Sequence, residues 1–162
     1  MTRKQVLNSF GLSFAALGLG AGWGRAAETM EKFEVTKSDA EWKALLSPAA
    51  YNVLRHEDTE RPGTSALLNE HRKGVFNCAG CDLALYDSAT KFESGTGWPS
   101  FFDHLPNAVT TKDDTSLFGM RTEVHCRRCG GHLGHVFDDG PKPTGLRYCM
   151  NGVALKFAPV AA

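Results

Sequence analysis

Residues 125–140 read His125-Cys126-Arg127-Arg128-Cys129-Gly130-Gly131-His132-Leu133-Gly134-His135-Val136-Phe137-Asp138-Asp139-Gly140, and a short link leads on to Arg147-Tyr148-Cys149-Met150-Asn151. Both the fold and the chemistry of the chain turn on this stretch. It holds a Cys-x-x-Cys pair, two histidines, an acidic turn and a lone cysteine. Of the 5 cysteines in the chain, four form two such pairs, Cys78/Cys81 and Cys126/Cys129, and Cys149 is left over. Four thiolates are read as structural and one as chemical.

A two-residue spacer lets the amides of a tight turn face a metal while both sulfurs converge on it, and two such turns complete a tetrahedron. A closed four-sulfur set leaves no open position. Cys78, Cys81, Cys126 and Cys129 are therefore expected to hold a structural zinc that clips together the ends of the long segment between them. The competing reading is a pair of redox dithiols or disulfides; the doubled spacing favours metal.

Cys149 lies in a short apolar run between Gly145 and Gly152. A free cysteine is most often a small buried apolar residue. Against that, strand alternation puts Arg147 and Asn151 on its face, and a cation beside a thiol favours thiolate. His132 and His135 stand nearby in sequence as donors or acids. A cysteine with a cation, two histidines and an asparagine is a nucleophile constellation, although the histidines could equally serve the core or a metal.

Outward from this centre, short apolar runs bounded by Gly and Pro argue antiparallel strands: Val75-Phe76, Leu83 to Tyr86, Leu117 to Val124, Leu133 to Phe137, Leu146 to Met150 and Val153 to Phe157. Upstream, Ser38-Asp39-Ala40-Glu41 is a capping box opening a helix with Trp42, Leu45 and Leu46 on one face. Ser47-Pro48 starts a second helix whose face is Tyr51, Leu54 and Arg55. Thr59 to Thr64 reads as a turn-rich connector. The result is a mainly β domain with short N-terminal helices.

The chain is long enough at 162 residues to bury a core, and Lys+Arg and Asp+Glu are both 18. A zero net charge without a basic stripe argues against a nucleic-acid partner. Arg3-Lys4, the apolar stretch Val6 to Trp23 and a small-x-small site near Ala26/Ala27 form an export-signal pattern. Residues 1–26 are thus expected to be a signal peptide and 27–162 the working domain, exported and periplasmic, with no permanent membrane span; an uncleaved anchor is the alternative. Thr2 to Leu7 also resembles a twin-arginine signal with Lys as its second basic residue, which would allow export of the folded, metal-loaded domain.

With these residues in place, the chain from Trp42 to Phe157 resembles the B-type methionine-R-sulfoxide reductases. Four blocks carry the resemblance: Cys78-Ala79-Gly80-Cys81; Lys91-Phe92-Glu93-Ser94-Gly95-Thr96-Gly97-Trp98-Pro99-Ser100-Phe101; Gly131-His132-Leu133-Gly134-His135-Val136-Phe137-Asp138-Asp139-Gly140-Pro141; and Arg147-Tyr148-Cys149-Met150-Asn151-Gly152. The resemblance implies two small antiparallel sheets in a β-tent-like arrangement, three strands in each, and a structural zinc. It implies reduction of the R epimer of methionine sulfoxide, in proteins or free, with electrons from a thioredoxin-like partner. Cys149 matches the nucleophile, and His132, His135 and Asn151 the groups that orient and protonate the sulfoxide oxygen. Trp98 matches the wall that holds the substrate methyl, and Arg147 and Asp139 supporting polar residues at the substrate site.

One departure carries a consequence. Many members have a recycling cysteine directly before Gly-Trp-Pro, and here that place is Thr96. With four cysteines assigned to zinc, the sulfenic acid on Cys149 is expected to be reduced directly by an external thiol, and no organic cofactor is needed. A monomer is expected. Two rival classes are a zinc-ribbon-type binding module, which leaves Trp98, His132, His135 and Cys149 unexplained, and a secreted thiol-disulfide oxidoreductase, which needs a reactive pair outside the metal ligands.

Overall fold

Turn chemistry and alternating apolar residues divide the chain after its two helices into nine strands, in a computed structural model that describes residues 32–115 and 119–160. The export-signal segment lies outside the described residues. Strands β1 (Gly74–Cys78), β2 (Ala84–Asp87) and β9 (Leu155–Pro159) form one antiparallel sheet in the order β2-β1-β9. A second sheet contains β3 (Lys91–Phe92), β4 (Ser100–Phe101), β5 (Val109–Asp114), β6 (Arg121–Cys126), β7 (His132–Phe137) and β8 (Arg147–Met150), in the order β3-β4-β8-β7-β6-β5.

Two antiparallel sheets and short helices are what the sequence predicts, but the second sheet has six strands rather than three. The extra strands have plain reasons for escaping notice. β3 and β4 are two residues each, too short to show a period. β5, Val-Thr-Thr-Lys-Asp-Asp, is an edge strand with little burial, and charged side chains there keep the open edge from pairing with other chains. Of the run read from Leu117, residues 117 and 118 lie outside the described residues and β6 begins at Arg121, while Val153 sits in a one-turn 3₁₀ helix, Gly152–Ala154.

One face of the larger sheet is the core face. Val124, Leu133, Met150 and Phe101 are fully buried there, and they meet the smaller sheet through aromatic contacts. Tyr86 stacks on Phe101 at 4.3 Å between ring centres, and Phe76 meets the same ring edge-on at 4.9 Å. The buried Tyr86 hydroxyl donates to the Met150 sulfur at 3.0 Å, which satisfies an otherwise costly polar group.

Helix α1 (Asp39–Leu45) opens on the predicted capping box: Ser38 accepts from the Glu41 amide, and the Glu41 side chain takes the Ser38 amide at 2.8 Å. Helix α2 (Pro48–His56) starts with Ser47 accepting from the Ala50 amide at 3.2 Å. Trp42, Leu46, Tyr51 and Leu54 are buried, whereas Leu45 is 50 % exposed and lies off the packed face. Trp42 and Leu54 cover the first cysteine turn, where both side chains reach Gly80. Arg55 stacks on Trp42 and donates to the Cys129 carbonyl at 3.1 Å. The helices therefore roof the cysteine turns. Among the described residues, no helix is long and apolar enough to cross a membrane.

Candidate active site and metal centre

Both Cys-x-x-Cys turns use the same device. Four residues past the first cysteine, a left-handed residue (Asp82, φ 57°; Gly130, φ 66°) returns its amide to that cysteine's carbonyl, at 2.9 and 2.8 Å. At Gly130 a side chain would also overlap the Phe33 ring, so only glycine fits both constraints. The four Sγ atoms lie within 4.8 Å of one another, with Cys78–Cys129 at 3.7 Å and Cys81–Cys126 at 3.5 Å. These separations are far from a disulfide's ~2.05 Å and close to the ~3.8 Å edge of a tetrahedron with Zn–S bonds of about 2.3 Å. Neighbouring thiols hold Cys81 and Cys126 below, and Cys78 and Cys129 above, the ordinary cysteine value. Four thiolates so close repel one another unless a cation sits between them. The set can form a zinc site.

Strand register assembles the second site. Phe92 pairs with Ser100, Ser100 with Cys149, Cys149 with His135, His135 with Glu123, and Glu123 with Lys112. All six residues occupy one rung across the sheet, and paired residues share a face. His132 joins them through a β-bulge. Val124 pairs with Gly134 and His125 with His132, so Leu133 is an extra residue on its strand. Plain alternation would put His132 and His135 on opposite faces; the bulge returns them to one face, rings 5.5 Å apart. Gly134 permits the close packing of β7 on β8, since a Cβ there would overlap the Cys149 carbonyl oxygen.

Cys149 opens into a pocket of about 120 Å³ whose walls include Trp98, Phe137, His135, Asn151 and Arg121. Its aromatic walls and polar floor suit a small, partly apolar group. Trp98 is held by its indole N–H, which donates to the Glu60 carbonyl at 3.1 Å. Asn151 is buried and committed to backbone on both sides, accepting from the Glu60 amide at 2.9 Å and donating to the Leu133 carbonyl at 3.1 Å. Arg147 and Asp139 lie beside the pocket rather than on its wall. Arg147 grips Asp139 through two bonds of 2.8 and 2.9 Å, and its guanidinium lies over Phe137 at 4.4 Å. His132 lines a neighbouring chamber instead of the cysteine pocket.

Arg147 does pull Cys149 toward thiolate, as strand alternation predicts, but it does not set the balance. Burial pushes the thiol above its ordinary value, and it outweighs the downward pull of the Thr96 hydroxyl, the Arg147 charge and the Ser100 hydroxyl. Much of the Arg147 charge is already matched by Asp139. Thr96 Oγ1 stands 3.8 Å from Sγ and is linked through Ser94 to Ser100, at 2.9 and 2.7 Å. The rate of Cys149 alkylation by iodoacetamide is accordingly expected to rise tenfold per pH unit through neutrality, with its midpoint above pH ~8.5, the value for a free cysteine. A midpoint below that value would show that the cation dominates.

Several functional residues carry no periodic signal in the sequence. Glu60, in the segment read as a connector, accepts from the Gly152 and Val153 amides. Together with its backbone bonds to Trp98 and Asn151, it straps the pocket's two sides together. Glu123 holds His132 Nδ1 at 2.7 Å, and Asp114 holds His135 Nε2 at 2.8 Å. Phe137 belongs to the third block of the resemblance, and the fold makes it a pocket wall. Nothing local marks these carboxylates, since their partners come from other strands.

Comparison with known proteins agrees with this geometry. The SelR domain matches residues 46–159. The chain is 55 % identical over 129 residues to a peptide methionine sulfoxide reductase MsrB of Methanosarcina barkeri, covering 79 % of this chain and 91 % of that one. It is 52 % identical over 128 residues to the MsrB of Agrobacterium fabrum, covering 78 % and 95 %. For peptide methionine sulfoxide reductase B3 of Arabidopsis thaliana the identity is 48 % over 130 residues, covering 79 % and 73 %. With one matched domain spanning both cysteine turns and the Cys149 pocket, and half the residues shared across nearly the whole length of its bacterial and archaeal relatives, the chain belongs to the MsrB (SelR-domain) family of peptide methionine sulfoxide reductases.

Proposed function

We propose that this protein reduces the R epimer of methionine sulfoxide, free or in proteins, with Cys149 as nucleophile and an external thiol as reductant. The observation that carries the reading is the rung that sets Cys149 against His135 inside a pocket walled by Trp98 and Phe137. The sulfoxide's methyl and methylene groups fit against the aromatic walls, and the Cys149 sulfur attacks the sulfoxide sulfur. The oxygen must gain a proton to leave its sulfur, and His135 on the pocket wall gives it, with His132 behind in the adjoining chamber. Oxygen ends on Cys149 as sulfenic acid and methionine departs. The thiol sulfur is oxidised by two electrons and the sulfoxide sulfur reduced by two. Asn151 keeps the loop after β8 in register beneath the pocket, and Arg147 with Asp139 backs the Phe137 wall.

Two external thiols then restore Cys149, releasing water and a disulfide. The Thr96 hydroxyl fills the place beside Sγ where many relatives carry a recycling thiol, which supports direct reduction by a thioredoxin-like donor. The close spacing of the four sulfurs supports zinc, held by Cys78, Cys81, Cys126 and Cys129; four sulfurs close its coordination, so its part is structural. We place the working domain outside the cytoplasm, in the periplasm, on the strength of the export-signal pattern in residues 1–26.

Separate R and S sulfoxides of a blocked methionine, offered with dithiothreitol, test the reading. Turnover of the R epimer alone is expected. Turnover of the S epimer, or of neither by the folded, metal-loaded protein, would overturn it.

A further inference from the structure

Behind the cysteine pocket lies a second chamber of about 120 Å³, lined by Asp114, Arg121, Glu123, His132, His135 and Thr59. Thr59, Arg121 and His135 belong to both. Two features mark it. Glu123 and His132 are 4 % and 3 % exposed, a depth at which ionisable groups occur almost only when paired. His132 Nδ1 is bonded to Glu123, while the opposite nitrogen, Nε2, is buried with no hydrogen-bond partner. Leaving such an atom unpaired costs stability, and proteins tend to keep such orphans where they have work.

We propose that Glu123 is a positioning residue for proton transfer: it fixes His132 through Nδ1, so that Nε2 takes up and gives back the proton that the histidine pair passes to and from the cysteine pocket. The proposal rests on the reductase reading above. An ionised carboxylate only accepts, so neutral His132 must carry its proton on Nδ1, and any added proton goes to Nε2. The charge so formed lies against the Glu123 carboxylate. His135, on the rung with Cys149, is held through Nε2 by Asp114, so the two rings are anchored at opposite nitrogens and meet edge to face, 5.5 Å apart. In the sulfoxide step, the proton leaving Cys149 Sγ moves to the histidine pair and then to the sulfoxide oxygen, with none gained or lost overall.

The charges around His132 come from every neighbouring element: Glu123, His125 and Arg121 on β6, Lys112 and Asp114 on β5, Glu57 at the end of α2, and His135 on its own strand. Lys112 bonds the second oxygen of Glu123 at 2.8 Å and Glu57 at the same distance. It competes with His132 for the carboxylate.

The test uses single-turnover methionine formation by the full chain across pH, alongside iodoacetamide alkylation of Cys149. Glu123→Gln keeps the size and an acceptor for Nδ1 but removes the charge. It is expected to slow methionine formation about 10²-fold at pH 8 and to move the basic limb of the profile down by about one pH unit, with alkylation unchanged. Lys112→Met, which removes the competitor, is expected to move the same limb up. Nitrogen-15 spectra of the unmodified protein should show neutral His132 protonated on Nδ1. A Glu123→Gln profile that superimposes on the original, equal losses in alkylation and methionine formation, or a neutral His132 protonated on Nε2 would each overturn the proposal. Absence of methionine formation by the unmodified protein would instead overturn the reductase reading, and the tautomer would still report on Glu123.

Discussion

Substitution of Cys126 by serine is expected to abolish stoichiometric metal binding and to unfold the domain at ordinary temperatures. The cysteines do not come from one hairpin. Cys78 ends β1 of the three-stranded sheet, and Cys126 ends β6 of the six-stranded sheet. A metal on all four sulfurs therefore ties the two sheets together at the end roofed by α1 and α2. Structural zinc in small domains contributes about 10–16 kcal/mol of apparent binding free energy, whereas a whole domain is stable by about 5–15 kcal/mol. Removing one thiolate leaves three crowded sulfurs without the cation that offsets their repulsion. Thermal melting with metal analysis checks this, as does prolonged chelation of the unaltered protein with a thiol-blocking reagent. A metal-free protein with an unchanged melting temperature would exclude a structural role for the site.

Substitution of Cys149 by serine is expected to lower turnover of the R sulfoxide by roughly 10⁴-fold or more, the scale seen when a covalent nucleophile is removed. Stability should hold, because oxygen replaces sulfur in a side chain that already faces a pocket. The same variant separates the rival readings: a zinc-ribbon binding module would lose nothing. In the unaltered protein, one equivalent of sulfoxide without reductant should yield one methionine per chain and a sulfenic acid that dimedone traps. Mass spectrometry should find no disulfide to Cys149. Such a disulfide, together with metal release, would identify a cysteine of the metal centre as an internal resolver and refute direct reduction.

The histidines explain why some of the site is visible in sequence and some is not. His132 and His135 are spaced three apart, which in an unbroken strand separates them. Their approach depends on an extra residue, Leu133, relative to β6, and that is a relation between strands. Glu60 is a similar case. Its segment has turn composition, and the chemistry it supports lies at Trp98 and Asn151, which it reaches through backbone bonds. The strand β5 has no apolar run to mark it, because only its neighbour β6 makes it a strand, yet it brings Lys112 and Asp114 to the back of the site.

The sequence by itself determined the features that need only a turn or two of chain: the helix caps at Ser38 and Ser47, both cysteine turns, and the setting of a lone cysteine apart from four paired ones. Interactions of this kind span three or four residues and are written in residue type and spacing. Tertiary structure alone decided the rung that lines up Lys112, Glu123, His135, Cys149 and Ser100, the bulge that joins His132 to it, and the burial that raises the Cys149 thiol above its ordinary value. Register is chosen by the packing of whole sheet faces, since a slip of one residue would turn every side chain to the other face, and burial exists only once both sheets have closed on the core.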